Sequence, residues 1–465
     1  MSSRNEREAV LAILSRIREE GTYSHIAVRE MLDQCEREGM DRRQRAFVKR
    51  LTEGIIERRI EIDNVIRTYT KKGVRIRPVI RDILRMGVFQ ILYMDAVPDS
   101  AACNEAVKLT RLSGKNELSG FVNGVLRTIV REKDKGVFAA ASEEPEAPSD
   151  PAALSRKYSM PEWIIRLWNE QLSEEETRKL LESLLEIRPV SIRFDDRCSE
   201  EDRDKVLAGM REKGVQIEKG RYLSRCYYLT GTDSVAALPG YREGLWTVQD
   251  ESSMLVAEAA GLEGGETVYD VCAAPGGKSM HCASKLLALA GAAKEIGTVH
   301  AFDLSKGKTT QIIKNARRMH LPNIVVSQRD ALIPVPEEAG AADVLLCDLP
   351  CSGLGVIGRK RDIKYHVSPE QLQELAQLQK NILRSAAGYL KEGGTLIYST
   401  CTINRGENEE IASFIESELG FTADPLAPHL PVNIPGTDNN KLQLLPHIHG
   451  TDGFFLSRFV KDKRT

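Results

Sequence analysis

Residues 344–353, Val-Leu-Leu-Cys-Asp-Leu-Pro-Cys-Ser-Gly, decide the fold of this chain together with residues 395–402, Thr-Leu-Ile-Tyr-Ser-Thr-Cys-Thr. Each stretch opens with a short apolar run, which is typical of a buried parallel strand. A cysteine follows each run, Cys351 in the first stretch and Cys401 in the second. Ligands and reacting groups gather at the carboxyl ends of the strands in an open parallel sheet. The two stretches therefore predict neighbouring thiols at one sheet edge, where covalent chemistry at sulfur can occur.

The surrounding sequence, from residue 246 to residue 465, alternates between short apolar runs and amphipathic stretches. The apolar runs predict strands at 268–271, 299–302, 324–327, 343–347, 395–399 and 454–459. The amphipathic stretches predict helices that include 279–289, 305–319 and 369–390. Strands that alternate with helices indicate a doubly wound, mostly parallel α/β sheet of the Rossmann-like type.

The rest of the chain divides into three segments. Residues 1–132 show helical periodicity throughout and predict an all-helical bundle. Residues 133–157 are rich in Ala, Ser, Glu and Pro and predict a linker, because such a composition buries too little apolar area to fold. Residues 158–245 mix helical stretches with short strands and predict a small α+β subdomain that binds substrate. We therefore expect a multidomain α and α/β protein.

Composition excludes several classes of protein. The chain has 465 residues, a net charge of −2 and no apolar run of the roughly 20 residues that a membrane helix needs. Its charged start lacks the apolar core of a signal peptide, so we expect a cytoplasmic protein without membrane association. Nine cysteines without a C-x-x-C pair argue against a disulfide framework and a structural zinc site. Residues 1–85 carry 20 Lys and Arg against 14 Asp and Glu, which indicates a locally basic surface.

A cofactor loop is predicted at residues 270–278, Asp-Val-Cys-Ala-Ala-Pro-Gly-Gly-Lys, between the first strand and its helix. Small residues there allow a ligand to approach the backbone, yet the loop lacks the G-x-G-x-x-G and phosphate-loop patterns. Asp303 and Asp330 follow the next two strands, where they can accept from ribose hydroxyls and an adenine amino group. An adenosine-bearing cofactor is thus predicted, with candidate contacts at Cys272, Ala273, Ala274, Pro275, Gly276, Gly277, Lys278, Asp303, Asp330 and Asp348.

From these motifs the chain is identified as similar to the Nol/Nop/Sun family of RNA cytosine-5 methyltransferases over residues 158–460. The resemblance rests on the cofactor loop and on residues 248–253, 348–355, 398–402, 404–410 and 452–455. Residues 41–47 and 120–127 resemble the NusB family of RNA-binding antitermination factors. The combination points to the bacterial small-subunit ribosomal RNA members. The sequence departs from the family at four positions. It has Leu349 where the family usually has Ala, Arg361 where it has Pro, Tyr365 where it has Trp, and Arg405 where it has Pro.

The resemblance implies a function and a site. Carbon 5 of cytosine is a poor nucleophile, so a thiolate must first add at carbon 6. By resemblance, Cys401 is that nucleophile, Cys351 assists its release, Asp348 recognises and activates the cytosine, and S-adenosylmethionine supplies the methyl group. Cys272, Cys282 and Cys347 are interpreted as small buried apolar side chains without a chemical role. A zinc site of Cys347, Cys351 and Cys401 would lack a fourth ligand.

We expect small-subunit ribosomal RNA, free or partly assembled, as the partner of a monomeric protein that holds no metal. A basic stretch just beyond Cys351 is expected to contact RNA phosphates and to stack on a base, through Arg359, Lys360, Arg361, Lys364 and Tyr365. A solvated loop is the alternative for this stretch. Two other functions stay open, namely the same reaction on transfer RNA and a non-catalytic RNA-binding assembly or antitermination factor.

Overall fold

The computed structural model describes residues 5–140, 150–232, 234–291 and 295–462, which form two compact units. The helical unit runs to Leu185 and also contains Arg359–His366. The sheet unit contains Glu186–Gly358 and the chain from Val367 onwards. Within the described residues, no helix is both long enough and apolar enough to cross a membrane.

The helical unit is a bundle whose helices are α1 (Glu6–Glu20), α2 (Ser24–Arg37), α3 (Arg42–Glu57), α4 (Arg59–Thr68), α5 (Pro78–Tyr93), α6 (Asp99–Leu112), α7 (Ser119–Asp134), α8 (Val137–Ala140), α9 (Pro151–Tyr158), α10 (Glu162–Gln171) and α11 (Glu174–Ser183). Of these, α1, α3, α9 and α11 begin at residues whose side chains cap the helix. Asp41 caps the third helix by accepting from the backbone N–H of Gln44, and the Gln44 side chain accepts from the N–H of Asp41. The amphipathic faces of α1 to α7 pack on one apolar core.

The segment boundaries differ from the sequence prediction at two places. The predicted linker, 133–157, contains the start of α9, where Asp150 accepts from the backbone N–H groups of Ala152 and Ala153. Residues 141–149 of that linker lie outside the described residues. The predicted subdomain, 158–245, divides at Leu185, because α10 and α11 pack with the helical unit. Sequence composition marked the change of character but not the packing partner of these helices.

The sheet unit begins with a small antiparallel sheet. Its strands are β1 (Val190–Phe194), β2 (Gln216–Lys219), β3 (Cys226–Thr230) and β4 (Trp246–Val248), in the order β2-β3-β1-β4. Helix α12 (Glu200–Glu212) follows β1. Apolar side chains of the sheet and helix share one core, in which Trp246 is fully buried.

The large sheet confirms the predicted doubly wound class. Its order is β11-β12-β13-β9-β8-β5-β6-β7, with β10 also paired to β13. Strands β5 to β9 are parallel, whereas β10 to β13 add an antiparallel edge. The strands are β5 (Thr267–Asp270), β6 (Thr298–Asp303), β7 (Ile324–Gln328), β8 (Ala342–Asp348), β9 (Leu390–Thr400), β10 (Phe421–Ala423), β11 (Thr437–Asp438), β12 (Lys441–Leu444) and β13 (Phe454–Lys461).

Helices cover this sheet and place the site. They are α13 (Glu251–Ala259), α14 (Gly277–Leu289), α15 (Lys306–Arg318), α16 (Pro369–Ala386), α17 (Glu409–Ser417) and α18 (Pro446–His449). The chain goes from β5 through β6 to β7 on one side and then returns to β8 and β9 on the other side of β5. The strand order therefore reverses between β5 and β8, and a crevice for ligands is expected at their carboxyl ends.

Candidate active site

The predicted cofactor loop lies between β5 and α14, at the reversal of strand order. Gly276 has a φ of 101°, a conformation that suits glycine, and its N–H donates to the carbonyl of Ala273 at 2.7 Å. The N–H of Ala273 donates to Phe302 on β6, which ties the loop to the neighbouring strand. The loop and the start of α14 thus present backbone groups at the carboxyl edge of the sheet.

The two aspartates predicted for the cofactor lie at the carboxyl ends of the adjacent strands β6 and β7. Asp303 is the last residue of β6, and Asp330 lies two residues beyond β7. Asp303 is buried and accepts the N–H of Ala274 at 3.1 Å, so its carboxylate faces the loop. Asp330 accepts the N–H of Leu332 at 2.9 Å, so one of its oxygens closes a local turn. The structure brings the loop and Asp303 together, and the cofactor role of both aspartates stays a prediction.

Asp270 adds an unusual carboxylate just before this loop. It is buried, and Ser279 donates to its Oδ2 at 2.6 Å. Among the described residues, its Oδ1 has no hydrogen-bond partner. Burial raises the pKa of Asp270 to about 7. A buried acceptor without a partner at the end of β5 fits a cofactor that carries a cationic or hydrogen-donating group.

The two predicted thiols meet. Cys351 follows β8 and Cys401 follows the adjacent β9, and their Sγ atoms lie 3.4 Å apart. The hydrogen bond to Cys401, together with burial, raises the pKa of the Cys351 thiol well above its ordinary value. Cys351 is therefore a neutral thiol that can donate to the sulfur of Cys401.

A charged pair lies beside the thiols. Asp348, the last residue of β8, accepts from Ser399 at 2.9 Å and from the Lys278 ammonium at 2.7 Å. Burial opposes the charge on Lys278, but Asp348 outweighs it and raises the pKa of Lys278 above its ordinary value. Cys401 contributes to the same effect, so this cation lies within electrostatic reach of the sulfur. Lys278 therefore pairs with Asp348 rather than with solvent.

Sequence reasoning missed a buried network behind the thiols. Glu407 is fully buried and accepts from both the backbone N–H and the hydroxyl of Ser352, which follows Cys351. The Ser352 hydroxyl also meets the hydroxyl of Thr402, which follows Cys401, at 2.7 Å. Glu407 stood in the quoted 404–410 stretch, but a glutamate in a polar run gives no sign that it is buried.

The other predicted roles of cysteine are resolved by burial. Cys282 and Cys347 are buried in apolar surroundings, and burial raises the pKa of both thiols and of Cys272 above the ordinary value. Within the described ranges, no three His, Cys, Asp or Glu side chains are grouped to hold a metal ion.

The expected RNA contacts lie in a different setting from the one foreseen. Arg359–His366 folds with the helical unit. There Arg361 pairs with Glu57 at 2.7 Å and with Glu53 at 3.3 Å. Lys364 is buried and donates to two backbone carbonyls, those of Glu57 and Ser159.

Tyr365 completes this internal arrangement. It packs against the helical core, and the Arg59 guanidinium lies 3.6 Å from its ring centroid. The side chains of Arg361, Lys364 and Tyr365 thus already have partners within the helical unit, and their RNA contacts stay a prediction. Lys360 is exposed and Arg359 partly exposed, so their RNA contact stays a prediction.

Comparisons with known sequences show which families and proteins this chain is similar to. Residues 259–460 match the family described as 16S rRNA methyltransferase RsmB/F, and residues 4–131 match the NusB family. The probable ribosomal RNA small subunit methyltransferase B of Bacillus subtilis strain 168 is 34% identical over 99% of this chain and 100% of its own length. Ribosomal RNA small subunit methyltransferase B of Klebsiella pneumoniae is 31% identical over 82% of this chain and 81% of its own length.

Solved structures share the fold. The crystal structure of PH0851 superposes with a TM-score of 0.77 at 25% identity and covers 99% of this chain and 100% of its own. The crystal structure of NSun6 from Pyrococcus horikoshii with SFG has a TM-score of 0.55 at 21% identity and covers 64% of this chain and 97% of its own. The second likeness concerns the fold alone.

Proposed function

The chain belongs to the RsmB/F family of 16S rRNA methyltransferases, and from this premise we propose the target atom, the residue roles and the RNA contacts of the reaction. The predicted class, a ribosomal RNA methyltransferase that uses S-adenosylmethionine, is confirmed by this membership. The reaction is methylation of carbon 5 of a cytosine in small-subunit RNA. The observation that carries the proposal is the pair of thiols 3.4 Å apart at the ends of two adjacent strands.

Cys401 is the nucleophile in this proposal. Lys278 lies within electrostatic reach of it, and a nearby cation favours a thiolate. The thiolate electron pair forms a bond from Sγ to carbon 6 of the cytosine, and the pair of the 5,6 double bond moves to carbon 5. S-adenosylmethionine, when bound, supplies the electrophilic methyl group that carbon 5 accepts.

Cys351 assists the release step. Carbon 5 loses its proton to water, the 5,6 double bond re-forms, and the bond between carbon 6 and Sγ of Cys401 breaks. The thiol of Cys351 is neutral, and it donates a hydrogen bond to the departing sulfur. Such a donor stabilises the thiolate that leaves.

Asp348 recognises the base. Ser399 and Lys278 fix its two oxygens, so the carboxyl group has one orientation at the end of β8. We assign to it the hydrogen bonds to ring nitrogen 3 and to the exocyclic amino group of cytosine. Nitrogen 3 takes up a proton from water as sulfur adds, donates it in a hydrogen bond to the Asp348 carboxylate, and loses it again when the sulfur leaves; this bond stabilises the charge that develops. The residues present also fit S-adenosylmethionine, with the 272–277 loop, Asp303 and the partnerless oxygen of Asp270 as its contacts.

The helical unit supplies a second RNA contact. Exposed basic residues lie in the last turn of α4, at Arg67, and in the loop between α4 and α5, at Lys71, Lys72, Arg75 and Arg77, of which Arg77 pairs with Glu117. No acidic residue occurs between Asp63 and Asp82. A dense exposed run of one charge attracts the phosphates of RNA. We propose this loop as the RNA contact of the unit and, with ribosomal RNA as substrate, a cytoplasmic location.

The test uses RNA from cells that lack this protein. Incubation of the purified protein with labelled S-adenosylmethionine and unmodified 16S rRNA is expected to label one cytosine, which bisulfite mapping then locates. Transfer RNA serves as the competing substrate. Labelling of transfer RNA with none of ribosomal RNA overturns the proposed substrate, and labelling of neither, in naked or assembled form, favours a non-catalytic assembly factor.

A further inference from the structure

We propose that Glu407 and Asn408 are positioning residues with separate duties, Glu407 for the releasing thiol of Cys351 and Asn408 for the attacking thiol of Cys401. This inference rests on the roles proposed above for the two cysteines. The two residues are adjacent in sequence, yet their side chains contact different segments. Glu407 binds the residue next to Cys351, whereas Asn408 binds the residues on both sides of Cys401.

Glu407 and its neighbour Gln379 frame Cys351. One oxygen of Glu407 accepts the backbone N–H of Ser352 at 2.8 Å, and the other accepts the Ser352 hydroxyl at 2.5 Å. The Gln379 amide donates both to Glu407, at 3.3 Å, and to the carbonyl of Pro350, at 2.9 Å. The residues before and after Cys351 are therefore fixed by one buried pair of side chains, Glu407 and Gln379.

Asn408 frames Cys401 in the same way. Its carbonyl oxygen accepts from the Thr400 hydroxyl at 2.6 Å, and its amide donates to the backbone carbonyl of Thr402 at 3.1 Å. A second donor bond, to Gln443 at 2.7 Å, fixes the orientation of the amide. Asn408 is fully buried, so these bonds do not compete with water.

The chemistry of the two side chains suits the two frames. Glu407 is required as an acceptor, because all four of its partners donate: the N–H and hydroxyl of Ser352, the amide of Gln379 and the amide of Asn404. Asn408 both accepts and donates, which an amide can do and an ionised carboxylate cannot. A swap of carboxylate and amide at either position therefore leaves the shape intact and breaks one frame.

The consequence is a separation of the two half-reactions. A displaced Cys351 slows release without slowing attack, whereas a displaced Cys401 slows attack. A misplacement of about 1 Å at a reacting group costs on the order of 100-fold in rate. Glu407→Gln is thus expected to resemble a partial loss of Cys351, and Asn408→Asp a partial loss of Cys401.

The experiment measures both steps on the full-length protein. Trapping on RNA that contains 5-fluorocytidine reports attack, because carbon 5 then has no proton to lose and the adduct persists. Accumulation of adduct on ordinary RNA reports slow release. We expect Glu407→Gln to trap within about 3-fold of the unchanged protein and to accumulate at least about 10-fold more adduct. Asn408→Asp is expected to trap at least about 10-fold more slowly and to accumulate none.

Controls separate this inference from the proposed function. Glu410→Gln is the matched exposed control and should leave both steps unchanged. If Glu407→Gln does not fold, Ser352→Ala removes one of the same hydrogen bonds and should raise accumulation in the same direction. Absence of adduct with the unchanged protein refutes the proposed function. If the unchanged protein traps normally but the two variants affect both steps equally, or show each other's effects, only the separate duties of Glu407 and Asn408 are refuted.

Discussion

The ammonium of Lys278 lies 2.7 Å from the carboxylate of Asp348, across the reversal of strand order between β5 and β8. The two side chains come from different parts of the site, the cofactor loop and the base pocket. Their ion pair fixes Asp348 toward the thiols and keeps a cation within reach of Cys401. One contact therefore connects the residues that we propose for cofactor binding, for base recognition and for attack.

Asp348→Asn is expected to reduce methyl transfer at least about 100-fold, because it removes the base contact and the counter-ion of Lys278. A buried cation without its partner also lowers the free energy of unfolding by about 3 kcal/mol. Initial rates and denaturant unfolding measure the two effects. Asp343→Asn, which removes the charge from a partly exposed pair with Lys391 near the start of the same strand and keeps an oxygen for the N–H of Thr267, is the control. Equal losses in both variants would contradict the role of Asp348.

The two cysteines are expected to fail differently. Cys401→Ala should abolish methylation and the covalent adduct, whereas Cys351→Ala should accumulate a protein–RNA adduct, because the leaving sulfur loses its donor. Denaturing gels of the protein with ordinary RNA detect the adduct. Cys103→Ala, in the helical unit, is the control. An adduct that survives the loss of Cys401 would exchange the two assignments.

Asp270 is expected to make stability fall with rising pH. Its ordinary pKa is about 3.9 in an unfolded chain, whereas burial raises the folded value to about 7. Between these values the folded state binds more protons than the unfolded state, so the free energy of unfolding decreases as pH rises from about 4 to 7. The variant Asp270→Asn does not lose stability in this way. The free energy of unfolding of the variant minus that of the unchanged protein should therefore rise by at least about 1 kcal/mol from pH 5 to pH 8.

Denaturant unfolding at the two pH values measures this difference. Asp438→Asn, which alters an exposed carboxylate, should show the same relative stability at both. A flat difference for Asp270→Asn as well would mean that the folded protein does not hold a proton on this carboxyl group.

The α4–α5 loop is expected to bind RNA through phosphate contacts. The double variant Lys71→Ala/Lys72→Ala should weaken binding of all RNA sequences alike and reduce the slope of log affinity against log salt by about 1 to 2. Filter binding over a range of salt concentrations gives the slope. Lys205→Ala, which removes an exposed lysine paired with Glu201, should leave it unchanged. An unchanged slope in the double variant would place the contact elsewhere.

Sequence predicted the strands that carry the site because their cores are apolar runs of the right length. All six strands predicted for the large sheet overlap observed strands. Asp348, the two thiols and the cofactor loop lie at or just beyond the carboxyl ends of these strands. The short strands β10, β11 and β12 were not predicted, because two to four residues of mixed polarity carry no clear period.

The features that the sequence did not reveal share a physical cause. Arg361 pairs with glutamates more than 300 positions away, and such pairing leaves no trace in local charge. Its sequence neighbourhood shows a basic run but not the acceptors that neutralise it. Glu407 was missed for the converse reason, since a charged residue in a polar stretch is normally exposed. Burial of polar groups is decided by tertiary packing.

The octapeptide Arg359–His366 gives the helical unit an interrupted chain. The single fragment 1–185 would lack the ion pairs that Arg361 makes with Glu57 and Glu53 and the hydrogen bonds that Lys364 donates to the carbonyls of Glu57 and Ser159. A protease that cuts only after Leu185 would leave Arg359–His366, a part of the helical unit, on the second fragment. The helical unit is thus discontinuous in sequence, and its second segment begins eight residues beyond Cys351.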